Sequence, residues 1–334
     1  MNIFTYLGLP ADHRKPAKVT QLVKHFDEVT EKNKVGKKYG IQIKEDGVCA
    51  ITVIHEGKVE IFSRTGKPFT NTEILKADIT NRGFRDGVYF GEMVQSHVSL
   101  EVLSGKVNPN RTQPLDEEGM NIVRNLCMRF FDLISIESFI EGASQTVYLK
   151  RYKNLVERIN KGGAIFGNTR NSPVSVIALK LVDDEHTIDS YHERAVKFGE
   201  EGIVICDLAA SWEAGHKGYR KMKKVRGCDY DLLCVGYEEG KGKYTGLIAN
   251  LLFKWKGGET IKCMLGKGWT HQNAKDMFEA AEAAKQGHTI KGIQYSNPVG
   301  NIFQVYALEE SSKGKLRLPK VGEQRFDKVN PDVK

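Results

Sequence analysis

The order of apolar and polar positions divides the chain into short strands with a few helices between them. Residues 17–30 carry Val19, Leu22, Val23, Phe26 and Val29 at helical spacing, with Lys, Asp and Glu opposite, which predicts a helix. Tyr39–Ile43 reads as an apolar strand, and 48–54 with 59–63 reads as a hairpin turning at His55-Glu56-Gly57-Lys58. Val88–Val94 predicts another strand, 116–129 a helix, and 130–133 a strand. Leu149, Tyr152, Leu155, Val156 and Ile159 mark a helix stopped by Gly162-Gly163. Then follow a strand over 174–182, a helix over 188–198 with Gly199 past its end, and strands at 200–205 and 219–224.

After Arg226-Gly227 the composition changes. Short strands at 230–236, 246–255, 259–265 and 302–308, with one helix near 272–285, predict a small Greek-key barrel of the OB type. The expected architecture is therefore α+β in two domains, 1–226 and 227–334. The 334 residues suffice for two cores.

Charge adds a partner. A net charge of +8 favours a polyanion, although a solubilising surface gives the same sum. Six cysteines at 49, 127, 206, 228, 234 and 263 include no Cys-x-x-Cys pair, which argues against zinc and for a reducing compartment. The N-terminus lacks a leader pattern and no window reaches transmembrane length, so the expectation is an intracellular, cytoplasmic protein without a membrane partner.

The candidate chemistry centres on Lys44, in Gln-Ile-Lys-Glu-Asp-Gly between two strands. Set there, it points into a pocket or a core rather than open solvent, or it belongs to an ordinary hairpin with an Asp-Gly turn. As a nucleophile on phosphorus it must be uncharged, and an ordinary ε-amine titrates near ~10.4, so roughly 3 units of depression are needed. Lys-x-Asp-Gly arises by chance in about one chain in ten of this length. Arg64, at a strand end beside Gly66, suits a ribose or phosphate contact or a plain loop. Glu92 sits within an apolar run, costly unless it meets a ribose hydroxyl or a metal-bound water. Phe131 suits purine stacking or core packing. Lys221 and Lys223 share one strand face, sensible if an anion lies between them or if both are exposed.

Taken in order, these pieces resemble the covalent nucleotidyltransferase superfamily, specifically ATP-dependent DNA ligases of the small phage and virus type. Lys44-Glu45-Asp46-Gly47 resembles the adenylation motif, and Ser63-Arg64-Thr65-Gly66 the next. Gly91-Glu92, Phe131-Asp132, Glu201-Gly202-Ile203-Val204 and Lys221-Met222-Lys223 follow in family order. Gly266-Lys267-Gly268-Trp269 is similar to a turn of the ligase OB domain, and Arg317-Leu318-Pro319 with Arg325 and Lys328 to the terminal motif. The resemblance implies a nucleotidyltransferase (ATP-grasp-like) domain of antiparallel sheets with flanking helices, followed by an OB-fold barrel.

It also implies a reaction: Lys44 takes AMP from ATP, AMP passes to the 5′-phosphate of a nick, and the 3′-hydroxyl displaces it. Gln42 and the backbone at Ile43 would read adenine, Phe131 would stack on it, and Arg64 and Glu92 would hold the ribose. Lys221 and Lys223 would bracket the α-phosphate. Glu201, with Glu92, would serve Mg2+, for which Mn2+ can substitute. Arg317, Arg325 and Lys328 would orient pyrophosphate, with the OB domain moving between steps. The implied partner is nicked double-stranded DNA, and the implied state a monomer, in the host cytoplasm if phage-encoded.

Departures concern nick sensing. The family's arginine five residues after the nucleophile is Cys49 here, with Arg85, Lys67 or a loop lysine as substitutes. Phe90 replaces an aspartate, and Cys206 a basic residue. An arginine common between the fourth and fifth motifs is not evident, and His216 or Lys217 stands near it. The rivals are an RNA ligase or RNA-capping nucleotidyltransferase, and a non-catalytic OB-fold nucleic-acid-binding protein.

Overall fold

The computed structural model describes all residues except Val35, His97, 162–171, Lys267, Ile293, Gln294, Glu309, 311–313 and Lys334. The expected helix stop at Gly162-Gly163 and the lysine of the Gly-Lys-Gly-Trp turn lie outside the described residues. The chain divides into two compact units, Met1–Val225 and Arg226–Lys334.

In chain order the first unit contains α1 (Ile3–Tyr6), β1 (Leu22–His25), β2 (Tyr39–Ile43), β3 (Val48–His55), β4 (Lys58–Ser63), α2 (Glu73–Asn81) and β5 (Gly87–Val94). Then come α3 (Leu100–Val107), α4 (Glu117–Arg124), β6 (Cys127–Ile134), α5 (Ile136–Glu141), β7 (Ala143–Ser144) and α6 (Tyr148–Lys161). The unit closes with β8 (Val174–Val176), β9 (Lys180–Val182), α7 (Glu185–Lys197), β10 (Gly202–Asp207), β11 (Trp212–Glu213) and β12 (Lys217–Val225).

Two five-stranded sheets carry the unit, ordered β1-β12-β10-β2-β9 and β4-β3-β5-β6-β8. The second is buried on both faces, which explains the almost unbroken apolar run of β3. Ala50 and Ile54 enter a core with Tyr89, Phe130 and the inner faces of α2, α3, α4 and α6. Ile51 and Val53, alternating with them, enter another with Phe90, Trp212, and Ile3 and Phe4 of α1. The first sheet rests Tyr39, Ile41, Ile203, Ile205 and Met222 against Ile188 and Ala195 of α7. Its opposite face carries the site.

The second unit contains β13 (Cys228–Glu239), β14 (Ile248–Lys254), β15 (Thr260–Leu265), α8 (His271–Lys285), β16 (Ile302–Ala307) and β17 (Lys320–Gln324). The strands close into a barrel ordered β13-β14-β15-β17-β16, with β15 and β17 parallel, around Leu232, Leu251, Phe253, Phe303 and Val321. This is the five-stranded OB arrangement. Trp269 ties its turn to β17 by donating from Nε1 to the Gly322 carbonyl at 2.6 Å.

Three expectations need correction. Residues 17–30 form no α-helix: β1 lies between two short 3-10 turns and pairs in parallel with β12. The helical spacing of its apolar residues serves two cores, Val19 in one and Phe26 and Val29 in another. The strand expected over 174–182 is two short strands in different sheets, β8 on β6 and β9 on β2. β17 escaped the sequence reading because its Lys-Val-Gly-Glu-Gln is short, polar and glycine-bearing.

Candidate active site

β2, β10 and β12 lie side by side, and their register assembles the site. Lys44 follows β2 directly; its backbone N–H donates to the Gly202 carbonyl at 2.9 Å, continuing the ladder. Its Nζ donates to Glu201 Oε2 at 2.5 Å, with both side chains largely shielded from solvent. Gly202 has φ +147°, and a Cβ there would stand 2.3 Å from the Lys224 carbonyl oxygen, so the motif's glycine is demanded by β12. Gly47 has a similar reason: a Cβ would meet the Met93 carbonyl oxygen at 2.6 Å, so the close approach there is to β5.

Lys223 lies on the same strand as Lys221. Burial, then the neighbouring Lys44, holds Lys223 below the usual lysine range, against the pull of Glu201 and Glu28. His25 of β1 is its cross-strand partner. No motif contained His25, because its segment was read as a helix.

The second sheet contributes a row in which Cys49 pairs with Glu92 and Glu92 with Arg129. Burial pushes the Glu92 carboxyl up to about 8; Lys44 opposes the rise, and Glu201, Glu45 and Asp46 add to it. Cys49, pushed up to about 12 by burial and Glu92, holds a neutral thiol in this row. Arg64 is exposed at the end of β4 and acts electrostatically on Cys49.

Behind these groups lies a buried polar network. Between Phe90 and Gly91 of β5 the register with β6 slips by one residue, leaving Phe131 as the extra residue of a bulge. The Phe131 ring is thereby half-buried, with Lys221 Nζ 4.4 Å from its centroid. Asp132, 1% exposed, accepts from Arg151 Nε at 2.9 Å and Nη2 at 3.0 Å, and Lys221 Nζ is 3.7 Å away. Burial alone would push the Asp132 carboxyl up, but Arg151 and Lys221 hold it below the usual carboxylate range. Gln42 is also buried; its Nε2 donates to the Ile177 carbonyl at 3.1 Å and its Oε1 accepts from Tyr148 Oη at 2.9 Å. Ile43 pairs with Ile203 of β10.

The structure thus brings together Gln42, Ile43, Lys44, Glu92, Phe131, Glu201, Lys221 and Lys223, with Arg64 at the margin. The sequence reading missed Arg151 and Tyr148. Tyr148, Arg151, Tyr152, Leu155 and Ile159 are spaced three and four apart, so Arg151 lies on the apolar face of α6, a charge in a place that demands a partner.

Arg85 is not positioned to replace the arginine missing at Cys49. It precedes β5 whereas Glu92 is near the other end, about 17 Å along the strand at about 3.3 Å per residue. Phe90 is a core residue against Trp212, and Cys206 is buried with Sγ 3.9 Å from Gln42 Oε1.

In the barrel unit, Arg325 donates from Nη1 to both oxygens of Asp231 at 3.1 Å, and from Nε and Nη2 to Asp327 at 2.9 and 2.8 Å. Lys328 Nζ stands 2.8 Å from Asp231 Oδ2. Arg317 is half-buried, and its carbonyl accepts from the Leu308 N–H at 3.0 Å.

The family described as ATP dependent DNA ligase domain matches residues 20–226. The chain belongs to the ATP-dependent DNA ligase family. A DNA ligase OB-like domain matches residues 239–325 of the same ligase-family chain. A DNA ligase of Pyrobaculum islandicum is 26% identical over 275 residues, covering 76% of this chain and 44% of that protein, so the chain spans less than half of that relative's length. Among solved structures, one from a study of minimal Lig E DNA ligases superposes with a TM-score of 0.64 at 16% identity, covering 92% of this chain and 98% of its own. The ATP-dependent ligase of bacteriophage T7, in complex with ATP, superposes with a TM-score of 0.51 at 16% identity, covering 93% of this chain and 99% of its own. These likenesses give the fold. Among the described residues no helix is long and apolar enough to cross a membrane.

Proposed function

We propose that this chain seals 5′-phosphate/3′-hydroxyl nicks in duplex DNA at the expense of ATP, through AMP carried on Lys44. The observation that carries the reading is the contact of Lys44 Nζ with Glu201 Oε2 on the sheet face that also holds Gln42, Lys221 and Lys223. Lys44 attacks the α-phosphorus: an N–P bond forms, the bond to the bridging oxygen breaks, and pyrophosphate leaves. Arg317, Arg325 and Lys328 are assigned to that pyrophosphate. The nick's 5′-phosphate then takes AMP from Lys44, and the 3′-hydroxyl displaces AMP to close the strand.

Gln42 and the Ile43 backbone meet adenine, Phe131 stacks on it, and Arg64 and Glu92 meet the ribose. Lys221 and Lys223 stabilise the charge that gathers on the α-phosphate oxygens. Glu201 accepts from Lys44 Nζ at rest. Were Glu201 to hold a metal, it would no longer accept from Lys44 Nζ.

Magnesium, or manganese in its place, fits the acidic cluster of Glu201 and Glu92, whose mutual repulsion helps hold the Glu92 proton. Among the described residues no group of three His, Cys, Asp or Glu could hold a metal. Glu201 and Glu92 would be its protein ligands, and magnesium commonly takes one or two carboxylates. When bound it supplies Lewis-acid charge at the α-phosphate.

The test is sealing of a nicked duplex by the full chain with ATP and Mg2+, run on DNA–DNA and RNA–DNA nicks. Sealing of the DNA–DNA nick supports the reading. Sealing confined to RNA strands, or adduct formation with GTP alone, replaces it by an RNA ligase or a capping activity.

A further inference from the structure

Tyr148 belongs to none of the motifs through which the site was read, yet it touches three of the groups on which that reading rests. It is 2% exposed at the start of α6. Its hydroxyl proton lies between two acceptors, Gln42 Oε1 at 2.9 Å and the Phe131 carbonyl at 3.0 Å. Lys221 Nζ stands 5.2 Å from its ring centroid.

The orientation of the Gln42 amide follows from its neighbours. The Ile177 carbonyl, 3.1 Å away, can only accept, so the amide nitrogen must face it. The amide oxygen therefore faces Tyr148, whose phenol, kept protonated by burial, donates to it. Tyr152 Oη also donates to the Ile177 carbonyl, at 3.0 Å, and holds that acceptor in place. An amide oxygen has two lone pairs; Tyr148 uses one, and the Cys206 thiol, its Sγ 3.9 Å away, makes only a weak contact with the other, which a stronger N–H donor can displace. A glutamine without such neighbours would turn its amide over at little cost and serve a donor or an acceptor equally.

We propose that Tyr148 is a purine-specificity residue: acting with the Ile177 carbonyl, it holds the Gln42 amide with its oxygen as the acceptor, favouring the 6-amino group of adenine over the 6-carbonyl of guanine. The inference rests on the reading of this site as the ATP site. Tyr148 is a positioning residue, acting through Gln42 without contacting the nucleotide.

The test compares adduct formation from radiolabelled ATP and GTP with Mg2+ and the full chain. Tyr148→Phe keeps the ring and its packing, and lowers the ATP-over-GTP ratio by about tenfold, the scale of one oriented hydrogen bond. Gln42→Glu, protonated on the oxygen that faces the Ile177 carbonyl, keeps its other oxygen as an acceptor and needs no further orienting partner. Adding Tyr148→Phe to Gln42→Glu therefore changes the ratio by less than about twofold. A Tyr148→Phe ratio within about twofold of wild type overturns the proposal. So does an equal loss of ratio in both backgrounds, which marks a general packing defect. A wild-type chain that forms no adduct with either nucleotide overturns the ATP-site reading itself, a result distinguishable from an adduct whose base preference ignores Tyr148.

Discussion

Each unit contains a carboxylate holding two cations, and the two differ in what surrounds them. In the first unit Asp132 carries Arg151 and Lys221, whose side chains are 3% and 8% exposed. In the barrel Asp231 carries Arg325 and Lys328, whose side chains are 22% and 38% exposed. The carboxylates are alike in burial, 1% and 6%. The difference lies in the cations. Arg151 and Lys221 have no ready access to water, so Asp132 is the counter-charge that makes their burial possible. Arg325 and Lys328 already reach water, so turning to water or a phosphate costs them less than it would cost Arg151 and Lys221, the remaining cost falling on Asp231. The same three charges thus make a fixed scaffold in one place and an exchangeable set in the other. The fixed one holds Lys221 beside Phe131, and the exchangeable one holds the cations assigned to the leaving pyrophosphate.

Perturbations sharpen this contrast, beginning with the largest expected effect. Lys221→Ala removes charge stabilisation at the α-phosphate and lowers the rate of adduct formation by about 100-fold or more, while DNA affinity measured by titration stays nearly unchanged. Normal adduct yield in that variant refutes its role. Asp132→Ala strands two buried cations and lowers unfolding free energy by about 3–5 kcal/mol in urea titrations. Asp231→Ala has the smaller effect on the same scale, because its cations reach solvent; an equal loss would erase the distinction drawn here.

Glu92 supplies the smallest and most specific signal. In the folded chain it keeps its proton up to about 8, against an ordinary value of 4.5. Its contribution to stability is therefore complete below 4.5 and is lost as pH rises through about 8. Glu92→Gln removes that dependence, so the difference in melting temperature between variant and wild type grows in the variant's favour from pH 5 to pH 8.5. A difference independent of pH would mean that Glu92 is already ionised at pH 5.

Much of this arrangement was legible in the sequence because the chemistry sits on regular strands. β2, β3, β4, β5 and β12 follow from alternation and apolar runs, and the motif order places Glu92 on β5 and Lys221 on β12, with Lys44 directly after β2 and Glu201 directly before β10. The parts that escaped depend on pairing across the chain. β1 is a strand because β12 offers it an edge, and nothing within 17–30 announces that edge. Phe131 reaches the site through a register slip against β5, which cannot be read from β6 alone. Arg151 was hidden in a helix whose apolar spacing was recognised without asking what a charge was doing on that face. Tyr148 was not among the positions that marked α6; it is a core residue whose hydroxyl matters because the fold brings Gln42, 106 residues away, within reach.

The central claim is that Lys44 is the group that takes AMP. Full-length chain incubated with ATP and Mg2+ in the absence of DNA, then digested and sequenced by mass spectrometry, tests it directly. The expected product is an acid-labile AMP on the peptide containing Lys44, lost in Lys44→Ala and discharged when nicked duplex is added. AMP on a different residue, or an undiminished adduct in Lys44→Ala, would contradict it.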